Sequence, residues 1–233
     1  MKLNLIKLFV LLALPFATAS AADVNMKFGK PTKEEMQMTT YEADPEADAV
    51  VLCRLTDVEY TVEFNGYLVD YHEKCRIKVL KPGGERFAKV VVPYNRDVAG
   101  ADRVGASKFS LKSMQFTFGN TTSAVLEDMP GSMIDNTAGS YTDEEVIDIK
   151  ATAFNQEGSK VVKTSMKKSD MKTTKLDETS YQLEFTVPNV KVGTVIEYEY
   201  TIHSQLFWQL RDWYAQCDIP VVYAKLDMNI PNY

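Results

Sequence analysis

The chain has 233 residues, 45% of them hydrophobic and 11% aromatic, with 26 Lys and Arg against 32 Asp and Glu, for a formal net charge of −6. An acidic chain with no basic stripe repels phosphate backbones and acidic lipid surfaces, which argues against a nucleic-acid partner. Length suffices for a sizeable core in one large domain or two small ones.

The first 21 residues read as a secretory signal peptide. Lys2 and Lys7 supply a positive start, Leu8 to Phe16 an apolar run too short to span a bilayer, and Ala19-Ser20-Ala21 a small-residue cleavage site. Cleavage after Ala21 removes those two lysines and no acid, so the balance moves from −6 to −8. The expected location is therefore exported: periplasmic, envelope-associated or secreted. No later stretch is long and apolar enough for a transmembrane segment.

Residues 22–48 form an N-terminal segment. Pro31 followed by Thr32-Lys33-Glu34-Glu35 is a capping-box pattern and predicts a short helix to about Thr39, and Asp44 to Asp48 predict a turn. Strands are expected from Ala49. Asn65-Gly66 is a strong hairpin signal, and setting Phe64 opposite Tyr67 places Val62 against Val69, Tyr60 against Tyr71 and Thr56 against Cys75. The other face carries Asp57, Glu59, Glu63, Asp70, His72, Lys74 and Lys78. In that register Cys75 points inward and Cys53 outward beside Lys78, so the two should not bridge unless a bulge intervenes; three free thiols, with Cys217, are the default.

Lys81 to Gly84 end the hairpin, and Phe87 to Val92 predict a strand closed by Pro93. Residues 95–145, rich in Gly, Ser, Asn and Asp, read as an irregular insertion with a strand pair around Phe109–Phe118 and Thr122–Leu126. Alternation returns at Val146, with Ile147, Ile149, Ala151 and Ala153 on one face. Gln156 to Gly158 turn the chain into Lys160–Thr164. Lys163, Lys167, Lys168, Lys172 and Lys175 read as a solvated basic face. Tyr181, Leu183, Phe185 and Val187 alternate up to Pro188. After the Gly193 turn Ile196, Tyr198, Tyr200 and Ile202 alternate again, with Glu197 and Glu199 on the wet face. A last strand covers Val222 to Ile230. Short strands between frequent turns predict a mainly all-β fold: an antiparallel β-sandwich over 49–233 with one or two short helices.

Catalytic, metal-ligating and cofactor-binding residues are not expected. Residues three apart on a strand face opposite sides, which excludes a Cys75–His72 couple. Cys217 with His203 and Asp212 is conceivable as a thiol triad, but nothing local activates the thiol or offers an oxyanion site. There is no Cys-x-x-Cys or His-Glu-x-x-His spacing, and Gly83-Gly84 and Gly193 serve turns rather than phosphate cradles. The cluster Phe207, Trp208, Trp213 and Tyr214 is the candidate binding surface, because exposed indoles stack on sugar rings or anchor interfaces; closing one end of the core is the plainer role.

The pieces in order resemble a known family. They are Asp44-Pro45 before Ala49-Val50-Val51-Leu52; Arg76 to Leu80; Val92-Pro93-Tyr94; Ala151 to Asn155; and Lys168-Ser169-Asp170. Phe185 to Tyr198 is the most specific, followed by Trp213 to Gln216, Ile219-Pro220-Val221 and Ile230 to Tyr233. Over about 29–233, apart from the middle, the chain resembles the domain of unknown function 3857, which precedes a transglutaminase-like domain in exported bacterial proteins. The resemblance implies a β-sandwich accessory or recognition domain, with a transglutaminase-like domain or another envelope protein as partner. None of Cys53, Cys75 and Cys217 matches the motifs of that catalytic domain, so it implies no activity here. The alternative is a free-standing envelope protein that binds a glycan or peptide.

Overall fold

The computed structural model describes residues 24–63, 66–96, 117–118, 121–122 and 144–230. Residues 1–21, which read as a signal peptide, the Phe64-Asn65 part of the expected turn, most of the stretch expected as an insertion at 95–145 and the last three residues lie outside them.

Among the described residues, eleven strands carry the fold: β1 (Ala49–Glu63), β2 (Gly66–Val79), β3 (Lys89–Asn95), β4 (Thr117–Phe118), β5 (Thr121–Thr122), β6 (Glu144–Glu157), β7 (Lys160–Ser165), β8 (Met171–Lys175), β9 (Ser180–Thr186), β10 (Val195–Ser204) and β11 (Ala224–Asn229). One sheet runs β11-β1-β2-β10-β6-β7, a second β3-β9-β8, and β4 pairs with β5. Val58, Tyr71, Ile77 and Ile196 of the large sheet share one buried cluster with Val92, Leu183 and Phe185 of the three-stranded sheet. This is the expected all-β sandwich with short helices. Every pairing is antiparallel except β1 with β11, which run parallel, Thr56 opposite Leu226.

The hairpin closes on Glu63 opposite Gly66, and Thr56 faces Glu73 rather than Cys75. A shift of two residues leaves each side chain on its own face, so alternation alone cannot separate the two registers. The same register sets Cys53 opposite Arg76, not Lys78, and a bulge between Val51 and Cys53 then sets Val51 opposite Ile77. A second irregularity, where Asp148 adopts φ 53°, separates Ile147 from its predicted face. Val146 and Ile149 pack on the core, whereas Ile147 is exposed. β3 continues through Pro93; it is an edge strand, where a missing N–H is tolerated.

The outer face of the large sheet departs most from expectation. Thr32 caps α1 (Lys33–Gln37) with Glu35 completing the box, and the helix lays Met36 on Phe154 and Val195. Met38 and Tyr41 continue over Val50, Leu52 and Leu80. A third layer thus covers one end of a face the alternation marks as wet. Beneath it Arg76, Lys78 and Cys53 are fully buried and Glu197 nearly so. Arg76 donates to Glu35 (2.9 Å), Glu197 (2.7 Å) and the carbonyls of Asn25 and Lys27 (both 2.6 Å), with Phe28 against its guanidinium. Gly84 sits where an added Cβ would stand 2.3 Å from the Asp48 carbonyl, so only glycine fits beneath the start of β1.

Candidate functional site

Away from that covered end, the connection from β10 to β11, residues 205–223, crosses the inner side of the large sheet. Between them opens a cleft of about 420 Å³, walled by Val58, Val92, Ile202, Leu210, Leu226 and Met228. It lies within the size range of small-molecule sites, about 300–1,000 Å³. Apolar walls are what a sandwich interior supplies. The polar groups set into them are not.

Arg54, Thr56 and Glu73 occupy inward-facing positions of β1 and β2 and line the cleft with Trp213. The Trp213 indole Nε1–H donates to Thr56 Oγ1 (2.9 Å), whose hydroxyl donates to Glu73 Oε2 (2.6 Å). Arg54 Nε donates to the other Glu73 oxygen, and its Nη1 to the Tyr214 carbonyl (3.0 Å). Burial pushes the Glu73 carboxyl up, and Arg54 and Thr56 hold it back. Tyr200 lies opposite Glu73 on β10 and lines the same cleft. Burial raises its phenol, and among the described residues its hydroxyl has no hydrogen-bond partner.

The rim is fastened by Arg211. Its Nη1 spans both oxygens of Glu144 (2.9 Å each) and its Nη2 donates to the Pro93 carbonyl (2.6 Å). Glu144, almost fully buried, also accepts from Ser204 Oγ (3.0 Å) and the Asn95 backbone N–H (2.9 Å). The connection is thereby pinned to β3, β6 and β10.

The four aromatic candidates divide. Trp213 reaches the cleft through Thr56. Phe207 packs between Tyr67 (5.2 Å) and Trp208 (5.1 Å) and accepts from the Tyr60 hydroxyl at its carbonyl (3.4 Å), nearer the hairpin end. Trp208 is 38% and Tyr214 67% exposed. Arg54, Glu73, Tyr200 and Arg211 were not candidates from the sequence. The available signal was a charged pair at inward parity, residues 54 and 73 sharing the face of Tyr71 and Cys75.

The thiols and imidazoles stand elsewhere. All three cysteines are free. Cys75 faces Tyr198 in the core, and burial pushes its thiol up to about 12. Cys53 lies under the N-terminal segment, on the opposite face of the sheet, its thiol also raised by burial. Cys217 contacts the Ile219 carbonyl (3.4 Å), His203 pairs with Asp70 (2.6 Å), and Asp212 accepts from Tyr214 (3.4 Å), so these three hold three different partners. His72 faces Asp57 rather than Glu59 and bonds Thr201 Oγ1 (2.9 Å) on the outer face. Among the described residues, no three His, Cys, Asp or Glu side chains cluster as a metal site and no helix is long and apolar enough to cross a membrane.

No family model matches this chain, and no curated protein matches it. Among solved structures, a crystal structure from Parabacteroides distasonis described as a "putative protease" aligns at 7% identity with a TM-score of 0.38. The alignment covers 67% of this chain and 23% of that one. A likeness of that size carries no argument about activity.

Proposed function

We propose that this chain is a recognition or accessory module, without a reaction centre of its own, that seats its ligand in the cleft between the large sheet and residues 205–223. One observation carries the reading: a built polar chain, Trp213–Thr56–Glu73–Arg54, stands in a cleft whose walls include Val58, Val92, Ile202, Leu210, Leu226 and Met228. Buried polar networks cost desolvation and contribute little net stability, so their presence in an open cleft favours a binding role. The chemistry of the thiols supports the non-catalytic half. A nucleophilic cysteine needs a depressed pKa and a neighbouring base, whereas Cys75 and Cys53 are shifted the other way and both histidines are engaged elsewhere. By its resemblance to the domain of unknown function 3857, the module serves an exported transglutaminase-like protein, and the signal-like first 21 residues agree with export.

Mapping a fragment library by amide and indole NMR shifts tests this. Hits should concentrate on Arg54, Thr56, Glu73, Tyr200 and the Trp213 indole. Hits that avoid the cleft, or hydrolysis of ester or thioester probes that is lost in Cys217→Ala, would overturn it.

A further inference from the structure

Resting on that reading, we infer that the cleft takes a neutral saccharide ring rather than an anion or a peptide strand paired along β3. Charge decides the first part. Arg54 is answered by Glu73 and Arg211 by Glu144, so each guanidinium at the cleft already holds a carboxylate of the protein. An anionic ligand would have to displace one of these carboxylates from its guanidinium, and Asp212, which also lines the cleft, adds further negative charge against it.

The shape and chemistry of the lining fit what remains. A pyranose presents an apolar C–H face and a rim of hydroxyls, each both donor and acceptor. The cleft offers the ring of Trp213 and the apolar side chains of Ile202, Leu226 and Met228 for the face. For the rim it offers the unpartnered Tyr200 hydroxyl, the remaining N–H groups of Arg54 and the remaining lone pairs of Glu73. Trp213 is already oriented by its bond to Thr56, which removes an ordering cost at binding.

A peptide adding as a strand along β3 finds that edge occupied. The groups of β3 turned away from β9 are those of residues 91, 93 and 95, because the Arg96 N–H and the Ala88 carbonyl bond the segments flanking β9. Pro93 has no N–H, its carbonyl is taken by Arg211, and the Asn95 N–H is taken by Glu144. Main-chain pairing, the source of affinity in strand addition, is closed there.

Calorimetric titration with methyl glucoside, methyl galactoside, N-acetylglucosamine and their β-linked oligosaccharides, monitored in parallel by the Trp213 indole NMR signal, tests the inference. Glucuronic acid, glucosamine and an extended peptide library serve as comparisons. At least one neutral saccharide should bind saturably and shift that signal. Tyr200→Phe should weaken it about fivefold to tenfold, the worth of one hydrogen bond, with an unchanged melting temperature because the hydroxyl bonds nothing among the described residues. Tighter binding of a charged sugar or a peptide, a saccharide affinity indifferent to Tyr200→Phe, or no saccharide binding would each overturn it. Fragment hits in the cleft alongside saccharide silence would defeat this inference alone; silence of both would defeat the recognition reading too.

Discussion

Glu73 and Arg54 join across β1 and β2 on the inner face of the large sheet, the carboxylate side chain 7% and the guanidinium side chain 27% exposed. Removing the cation from such a pair leaves a buried carboxylate with only Thr56 to satisfy it. Arg54→Ala should therefore destabilise the fold by about 2–4 kcal/mol, below the full figure for a wholly buried pair because Arg54 reaches solvent. Urea denaturation midpoints of wild type and variant measure the difference.

Arg76 fastens the N-terminal segment by a stronger version of the same logic. It is fully buried, and all its partners except Glu197 come from residues 25–35. Arg76→Met should cost about 3–5 kcal/mol, leaving Glu35 and Glu197 uncompensated. It should also uncover Cys53. Reaction with a disulfide reagent under native conditions reads this directly: one fast thiol, Cys217, in the wild type and two in the variant.

Glu144 accepts from β3, β10 and the 205–223 connection at once, so it holds the cleft rim in place. Glu144→Gln keeps the shape but forfeits the charge-assisted bonds to Arg211. The expected loss is about 1–3 kcal/mol, with limited proteolysis newly cutting within 205–223.

Two buried groups give stability a pH signature of opposite sign. Burial lowers Lys78 from 10.5 to about 8. The unfolded chain then holds a proton that the folded one has lost, so this group's contribution is full above pH 10.5 and fades as pH falls to 8. Burial raises Cys75 from 9 to about 12; its contribution is full below pH 9 and is lost as pH rises to 12. Denaturation series from pH 7.5 to 11 on wild type, Lys78→Met and Cys75→Ala separate them. Relative to wild type, the first should lose the rise and the second the fall.

Elements whose local chemistry is complete were legible in the residues. Thr32 and Glu35 cap a real helix, and Ile196, Tyr198, Tyr200 and Ile202 face the core as their alternation requires. What escaped depends on partners distant in sequence. Lys78 and Glu197 read as solvated because nothing local announces the 25–41 segment lying over them and over Arg76. Bulges at Leu52 and Asp148 change which side chains turn inward, and no residue-level signal marks them. Trp213 was visible as an aromatic. Its role was not, because Thr56 stands 157 positions away.

The decisive comparison asks whether the polar chain in the cleft exists for binding or for folding. Replacing Arg54 by Met and Glu73 by Leu together removes the ion pair without stranding either charge. A double variant at least as stable as wild type in urea, yet no longer shifting its Trp213 indole signal with cleft-binding fragments, is the predicted result. A double variant that is several kcal/mol less stable while still binding them would contradict it.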